Sequence, residues 1–151
     1  MRLLYSKPHL YDLSQGSRIS FVRQFRHMTQ DELSDALGIT GENKRRTMTR
    51  YERGERNPKE DRLEDISRIL ITNINLIKNY DFKDSDDIIY FLLWLEEYYP
   101  GMRIDLNLKP DDRLNSFVKE WNEMKKKREN RKISYEDYIE WKLNYILKEE
   151  L

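Results

Sequence analysis

The segment Met28–Gly38, MTQDELSDALG, constrains the fold more than any other part of the chain. Thr29 has the chemistry of a helix N-cap, and Glu32, three residues on, has the spacing of a capping box. Met28 before the cap and Leu33 at the fourth helical position have the spacing of a hydrophobic staple. Gly38 supplies the stop, because glycine takes the left-handed conformation that ends a helix without penalty. With start and stop this close together, the region must fold as a string of short helices packed on one another. Ile19, Phe21, Val22 and Phe25 form a short apolar stripe that predicts a preceding helix from about Ser17 to His27. Asn57-Pro58-Lys59-Glu60 reads as the next start signal: a cap, a proline at the first helical position and a glutamate at the third. Leu63, Ile66, Ile69 and Leu70 follow at helical spacing, and Thr72 or Asn73 reopens a short helix through Ile74 and Ile77 to Tyr80.

Between those two signalled helices lies ITGENKRRTMTRYERGER. Met48 and Tyr51, three apart, can face a core, while Lys44, Arg45, Thr49 and Arg50 point largely outward. A helix from about Lys44 to Arg53, ended by Gly54, fits this pattern. Helix, glycine turn and basic helix is an arrangement that presents a second helix to a DNA major groove. Charge supports that reading only when it is counted locally. The 151-residue chain has 28 basic and 28 acidic side chains, a formal net charge of zero that taken whole argues against nucleic acid. Residues 1–80, however, hold 15 basic and 11 acidic residues, a net of +4. Residues 81–151 hold 13 and 17, a net of −4. Within residues 43–59, Lys44, Arg45, Arg46, Arg50, Arg53, Arg56 and Lys59 outweigh Glu52 and Glu55 to give +5. The zero is a cancellation.

Thr29-Gln30-Asp31-Glu32-Leu33, Leu37-Gly38-Ile39-Thr40 and the run Thr47-Met48-Thr49-Arg50-Tyr51-Glu52-Arg53-Gly54-Glu55-Arg56-Asn57-Pro58 together resemble the helix-turn-helix of Cro and the lambda-type phage repressors. The resemblance spans roughly residues 15–80 and implies a five-helix DNA-binding domain acting as a dimer on paired half-sites. It departs from the family pattern at Ser34, where alanine is usual, and in the stretch Gly41-Glu42-Asn43-Lys44, about four residues of extra length. Those residues either lengthen the turn or add a turn to the front of the recognition helix. By the same resemblance Arg45, Arg46, Thr49 and Arg50 are candidates for base edges, where an arginine can bridge guanine O6 and N7. Their alternative is a solvated basic face. Thr29, Gln30, Lys44, Arg53, Arg56 and Asn57 are candidates for the sugar-phosphate backbone, contacts that position a protein without reading sequence. Gln30 read alone is a polar helix-start residue, and Arg53 and Arg56 can instead pair with Glu52, Glu55 or Glu60. Tyr51, Met48, Leu33, Leu37, Ile39, Ile66 and Ile69 are expected core. His27 closes the first helix, where a cation is favoured by the dipole.

Residues 1–14 have no clean period and are expected to form an arm or loose first element; residues 81–151 are expected to form a small helical C-terminal domain. Ser85 can cap a helix to about Tyr99 whose apolar residues Ile88–Leu95 cover every face, so it must be surrounded by its own domain or by a second subunit. Met102–Leu108 alternates strictly, the pattern of one strand or hairpin arm. Leu114, Phe117, Val118, Trp121 and Met124 predict an amphipathic helix running into Lys125-Lys126-Lys127-Arg128, a cluster suited to the helix dipole. Ser134 and Asp137 start a last helix carrying Tyr135, Tyr138, Ile139, Trp141, Leu143, Tyr145 and Ile146. Phe91, Trp94, Leu95, Trp121, Tyr138, Trp141 and Tyr145 are its candidates for a dimer or partner interface. The tail from Trp121 to Lys142 is distantly similar to C-terminal segments of repressor-like regulators of low-GC Gram-positive bacteria and their mobile elements.

Charged residues are 37% and apolar residues 38% of the chain, yet 18 aromatics argue against a disordered polyampholyte. No cysteine is present, which excludes disulfides, thiol catalysis and cysteine-ligated metals. His9 and His27 are too few for a zinc centre or a histidine-based triad. Asp86-Asp87 and Asp111-Asp112 are adjacent pairs that diverge by about 100° on a helix, and acids are favoured at such helix starts anyway. With no phosphate-cradling glycine loop and no nucleophile elbow, the chain reads as no enzyme and needs no cofactor. The longest apolar run, eight residues, is far short of the roughly 20 a bilayer span requires. No export signal is visible at the start, so the expected location is cytoplasmic. The expected function is a homodimeric, sequence-specific transcriptional regulator, a repressor or autorepressor of a phage or mobile element. The alternative is an antitoxin-like or anti-defence (anti-CRISPR-like) protein whose C-terminal half binds a protein partner and whose other half serves autoregulation.

Overall fold

The computed structural model describes residues 7–101 and 112–147, and every described element is a helix or a turn. The alternating stretch Met102–Leu108 lies outside the described residues, as does Asp111. The chain divides into two compact units with the boundary between Asn79 and Tyr80. No described helix is long and apolar enough to cross a membrane.

The N-terminal unit contains α1 (Gln15–Phe25), α2 (Gln30–Ala36), α3 (Lys44–Arg53), α4 (Glu60–Ile69) and a 3-10 turn, Ile74–Leu76. α1 begins at Gln15, two residues before the expected start near Ser17, because Ser14 caps it, accepting from the backbone N–H of Ser17, and Asp12 in turn accepts from the N–H of Ser14. α2 is capped as expected by Thr29, which accepts from the Glu32 N–H, but the reciprocal bond of a capping box is not made. α4 corrects the sequence reading. Lys59 is its N-cap and contributes no side-chain bond, so Asn57 does not cap and Pro58 lies before the helix. The expected helix from Asn73 to Tyr80 is also only the single 3-10 turn, capped by Asn73 accepting from the Asn75 N–H. His27 stands just past the end of α1 with φ of 56°, a left-handed stop.

Ile19, Phe21, Val22, Leu33, Met48, Tyr51, Leu63, Ile66, Leu70, Leu76 and Ile77 make the core of this unit, while Leu37, Ile39 and Ile69 are only half-buried. α3 packs on α1 and α2, and α4 on α2 and the 3-10 turn. The α1–α3 crossing depends on Gly16. A Cβ there would lie 2.4 Å from the Tyr51 carbonyl oxygen and 2.5 Å from that of Glu52. Polar groups close the far end of the unit. Arg18, 2% exposed, donates to the carbonyls of Leu13 and Leu76, and the Gln15 amide donates to the Ile77 carbonyl. Arg26 donates to the carbonyls of Leu70 and Ile71, satisfying acceptors that the end of α4 leaves open.

The C-terminal unit contains α5 (Ser85–Tyr98), α6 (Asp112–Glu129) and α7 (Tyr135–Leu143), with α6 packed on both others. Asp84, one residue earlier than expected, caps α5. Asp87 is buried because its carboxylate accepts from the N–H groups of Asp81 and Phe82, and Asp86 pairs with Arg113 at 3.1 Å. Both members of that acidic pair are thereby structural. Ser134 and Asp137 form a full capping box at α7. That helix stops at Leu143, short of Tyr145 and Ile146, where the Asn144 amide turns back to the carbonyl and carboxylate of Glu140. Tyr145 then folds inward against Phe117 and Trp141.

The core of this unit is aromatic and also charged. Lys142, 3% exposed, places its Nζ 2.6 Å from both Glu96 and Glu97 and donates to the Leu93 carbonyl. Tyr138 donates to Glu96 and accepts from the Trp121 indole, while Lys125 lies 3.6 Å from both Glu96 and the centre of the Trp121 ring. Burial raises the Glu96 carboxyl, but the Lys142 charge and the bonds from Lys142 and Tyr138 outweigh it and hold the group below the ordinary value. Burial together with Glu96 pushes the Tyr138 phenol up, so it remains a donor at neutral pH.

Two stability measurements check these features. Gly16→Ala adds helix propensity worth about 1 kcal/mol, yet it drives a Cβ into the backbone of α3, so a net loss of about 1–2 kcal/mol is expected in denaturant titration. Lys142→Ala leaves the largely buried Glu97 without its cation and Glu96 with Lys125 alone, and is expected to cost about 3 kcal/mol.

Candidate nucleic-acid interface

α3 exposes a basic face because its two apolar residues are spent on the core: Met48 is fully buried and Tyr51 nearly so. Lys44, Arg45 and Arg46 fill its first turn, Thr49 and Arg50 its middle and Arg53 its end. Its C-terminus is closed by Gly54 at φ 75°, whose N–H donates to Tyr51, while the Glu55 N–H donates to Arg50. The extra residues after Gly38 fall almost wholly in the turn. α2 is capped off at Leu37, Gly38 and Gly41 take positive φ, and α3 starts at Lys44 behind Asn43. Ser34, where the resembling family has alanine, is fully buried and donates from Oγ to the Lys44 carbonyl at 3.0 Å. The hydroxyl therefore ties the longer turn to the front of α3.

One hydrogen-bonded chain sets the position of the α2–α3 pair. Arg23 of α1 grips Glu52 of α3 with two bonds of 2.8 and 2.9 Å and gives a third, 2.7 Å, to the Met28 carbonyl. The Gln30 amide donates to the same carboxylate at 3.2 Å, and the Thr49 hydroxyl donates to the Gln30 carbonyl oxygen at 3.1 Å. Gln30, first residue of α2, and Thr49 of α3 are thus held side by side. Both line a groove of about 650 Å³ with Ser17, Ser20, Gln24 and Arg53 among its walls.

The remaining base-edge candidates divide into two groups. Arg46 is exposed and Arg50 half-buried, and neither guanidinium has an ion-pair partner among the described residues. Arg45 is exposed but gripped by Asp31 of α2 through bonds of 2.7 and 3.1 Å. Of the backbone candidates, Arg53 and Asn57 are exposed with no such partner, while Lys44 meets Asp35 at 2.8 Å. Thr29 is engaged as the α2 cap, and Arg56 lies 5.9 Å from the Tyr51 ring centre. The pairing of Arg53 or Arg56 with Glu52 does not occur, since Glu52 is committed to Arg23. In the C-terminal unit, Trp94, Trp121, Tyr138 and Tyr145 are buried in the unit's own core and offer no free face. Phe91, Leu95 and Trp141 are half-buried.

Sequence reasoning missed Arg23, Asp31, Asp35 and Gly16. Asp31 and Asp35 stand at i and i+4 of α2, a spacing that puts two acids on one helix face, but only the fold shows which cations they meet. Residues 22–77 match the helix-turn-helix family. No curated protein and no solved structure matches the chain.

Glu52→Ala leaves the Arg23 guanidinium, 13% exposed, without its carboxylate. Thermal or denaturant unfolding is expected to show a loss of about 3 kcal/mol, with Glu52→Gln intermediate because it keeps one acceptor.

Proposed function

We propose, from the match of residues 22–77 to the helix-turn-helix family, that this chain is a sequence-specific transcriptional repressor of the Cro and lambda-repressor kind that reads the major groove with α3. The observation that carries the reading is the pair of unpaired guanidinium groups, Arg46 and Arg50, on the outward face of a helix whose other face is locked into the core. Unpaired cations on a rigid element can form two-pronged bonds to guanine without first breaking a protein contact. Thr49, held by Gln30, adds a hydroxyl oxygen that still has acceptor capacity between them. Gln30, Arg53 and Asn57 are proposed to take phosphates on either side.

A repressor of this kind binds as a homodimer with its recognition helices about one DNA turn, roughly 34–36 Å, apart. The C-terminal unit supplies the contact between copies. Supporting this role are Phe82, 48% exposed, and Tyr99, 55% exposed, large apolar groups that its own core leaves uncovered. The net negative charge of residues 81–151 keeps that unit off the duplex. Compact repressors with this arrangement suit a phage or another mobile element that controls its own promoter in the cytoplasm.

Gel-shift titration on the DNA upstream of its own gene tests the assignment. Arg46→Ala with Arg50→Ala is expected to weaken binding by about 2 kcal/mol or more, roughly 30-fold, without loss of folded structure. Unchanged affinity would contradict base reading by α3.

A further inference from the structure

The first turn of α3 is built against its own helix dipole. Lys44, Arg45 and Arg46 stand at the positive end, where acids are normally favoured, and no acid is present in that turn. The compensation comes from α2. Asp31 holds the Arg45 guanidinium through both oxygens, and Asp35 holds the Lys44 ammonium. Neither pair is a buried structural element: the Arg45 side chain is 68% exposed and the Asp35 side chain 59%. Exposed pairs add little to stability, so their main consequence is to the charge that this face offers a ligand. The Arg45 bond keeps the Asp31 carboxyl below the usual range, and the bond to Asp35 raises the Lys44 ammonium.

Counterion bookkeeping turns this geometry into a prediction about specificity. Each phosphate neutralised by a protein cation releases a condensed counterion, which makes affinity fall with salt by a slope of about 0.9 per contact on duplex DNA. An arginine that leaves a carboxylate for a phosphate exposes a new negative charge beside the backbone, so the exchange adds almost nothing to that count. Resting on the DNA-binding reading, we propose that Asp31 and Asp35 are specificity-determining residues: they withhold Arg45 and Lys44 from sequence-independent phosphate binding. Of the cations in the first two turns of α3, only Arg46 and Arg50 are then left to add affinity, and they need matching bases to repay their desolvation. The acids do not touch the reading residues themselves, so they lower affinity for arbitrary sequence more than affinity for the operator.

The test is the salt dependence of binding of the full chain to a short duplex of arbitrary sequence. Asp31→Asn is expected to steepen the slope by about 0.9, which is about 3.5-fold more affinity lost between about 50 and 200 mM salt. Tighter binding at the low-salt end accompanies it. Asp35→Asn is expected to do the same through Lys44. Adding Arg45→Ala to Asp31→Asn must return the slope to that of the unaltered protein. If the steeper slope persists without Arg45, Asp31 acts by general repulsion and the proposal is overturned. An unchanged slope in folded Asp31→Asn also overturns it while leaving the DNA-binding reading standing. Absence of any duplex binding by the unaltered chain at low salt overturns that reading and the proposal with it.

Discussion

The two-pronged ion pair between Arg23 and Glu52 is the interaction on which the candidate interface depends. It joins α1 to α3, and its carboxylate is also the acceptor for Gln30, which in turn receives the Thr49 hydroxyl. A helix as short as α2 or α3 has little stability of its own in water. Its orientation must come from tertiary contacts. Here the apolar contacts of Leu33, Met48 and Tyr51 supply adhesion, and the Arg23–Glu52–Gln30–Thr49 chain supplies direction, because bonds of fixed geometry tolerate little rotation. Gly16 lets the helices approach closely enough for that chain to close.

What was legible in the sequence was local. Thr29 and Gly38 bracket α2, Lys44 and Gly54 bracket α3, and Ser134 with Asp137 opens α7, because caps and glycine stops act within one turn. The alternation of Met48 and Tyr51 with basic residues likewise told the buried face of α3 from the exposed one. The start of α4 is not legible locally, because Asn57-Pro58 has the composition of a cap followed by a first helical residue but stands in the loop that precedes the helix. Long-range pairings were not legible. Glu52 counted only as a dilution of the basic run, although its partner lies on α1. Asp31 and Asp35 read as ordinary helix-surface acids, although they meet the first turn of α3. Nothing in spacing along a chain says which of 28 acids meets which of 28 bases.

The C-terminal unit shows a second limit of the same kind. Its aromatic residues have the composition of an interface, yet Trp94, Trp121, Tyr138 and Tyr145 are buried, with Trp121 and Tyr138 hydrogen-bonded to each other. Lys142 and Glu96, which composition assigns to the surface, join them there. An ion pair in such a setting adds little net stability over apolar residues of the same shape but fixes one arrangement, since leaving any partner unmatched is costly. Among the described residues of the unit, the exposed large apolar groups are Phe82, Ile88, Tyr98, Tyr99 and Ile146.

In the proposed reading the basic, rigidly held face of α3 and the acids that pair with part of it belong together: the first would read bases, and the second would suppress attraction to DNA at large. The most direct test is equilibrium binding of the full chain to the DNA upstream of its own gene and to a permuted duplex of the same composition, both at about 0.15 M salt. Sequence-specific readout by α3 requires a preference of about a thousandfold or more for the native sequence. Equal affinities for the two duplexes would contradict it.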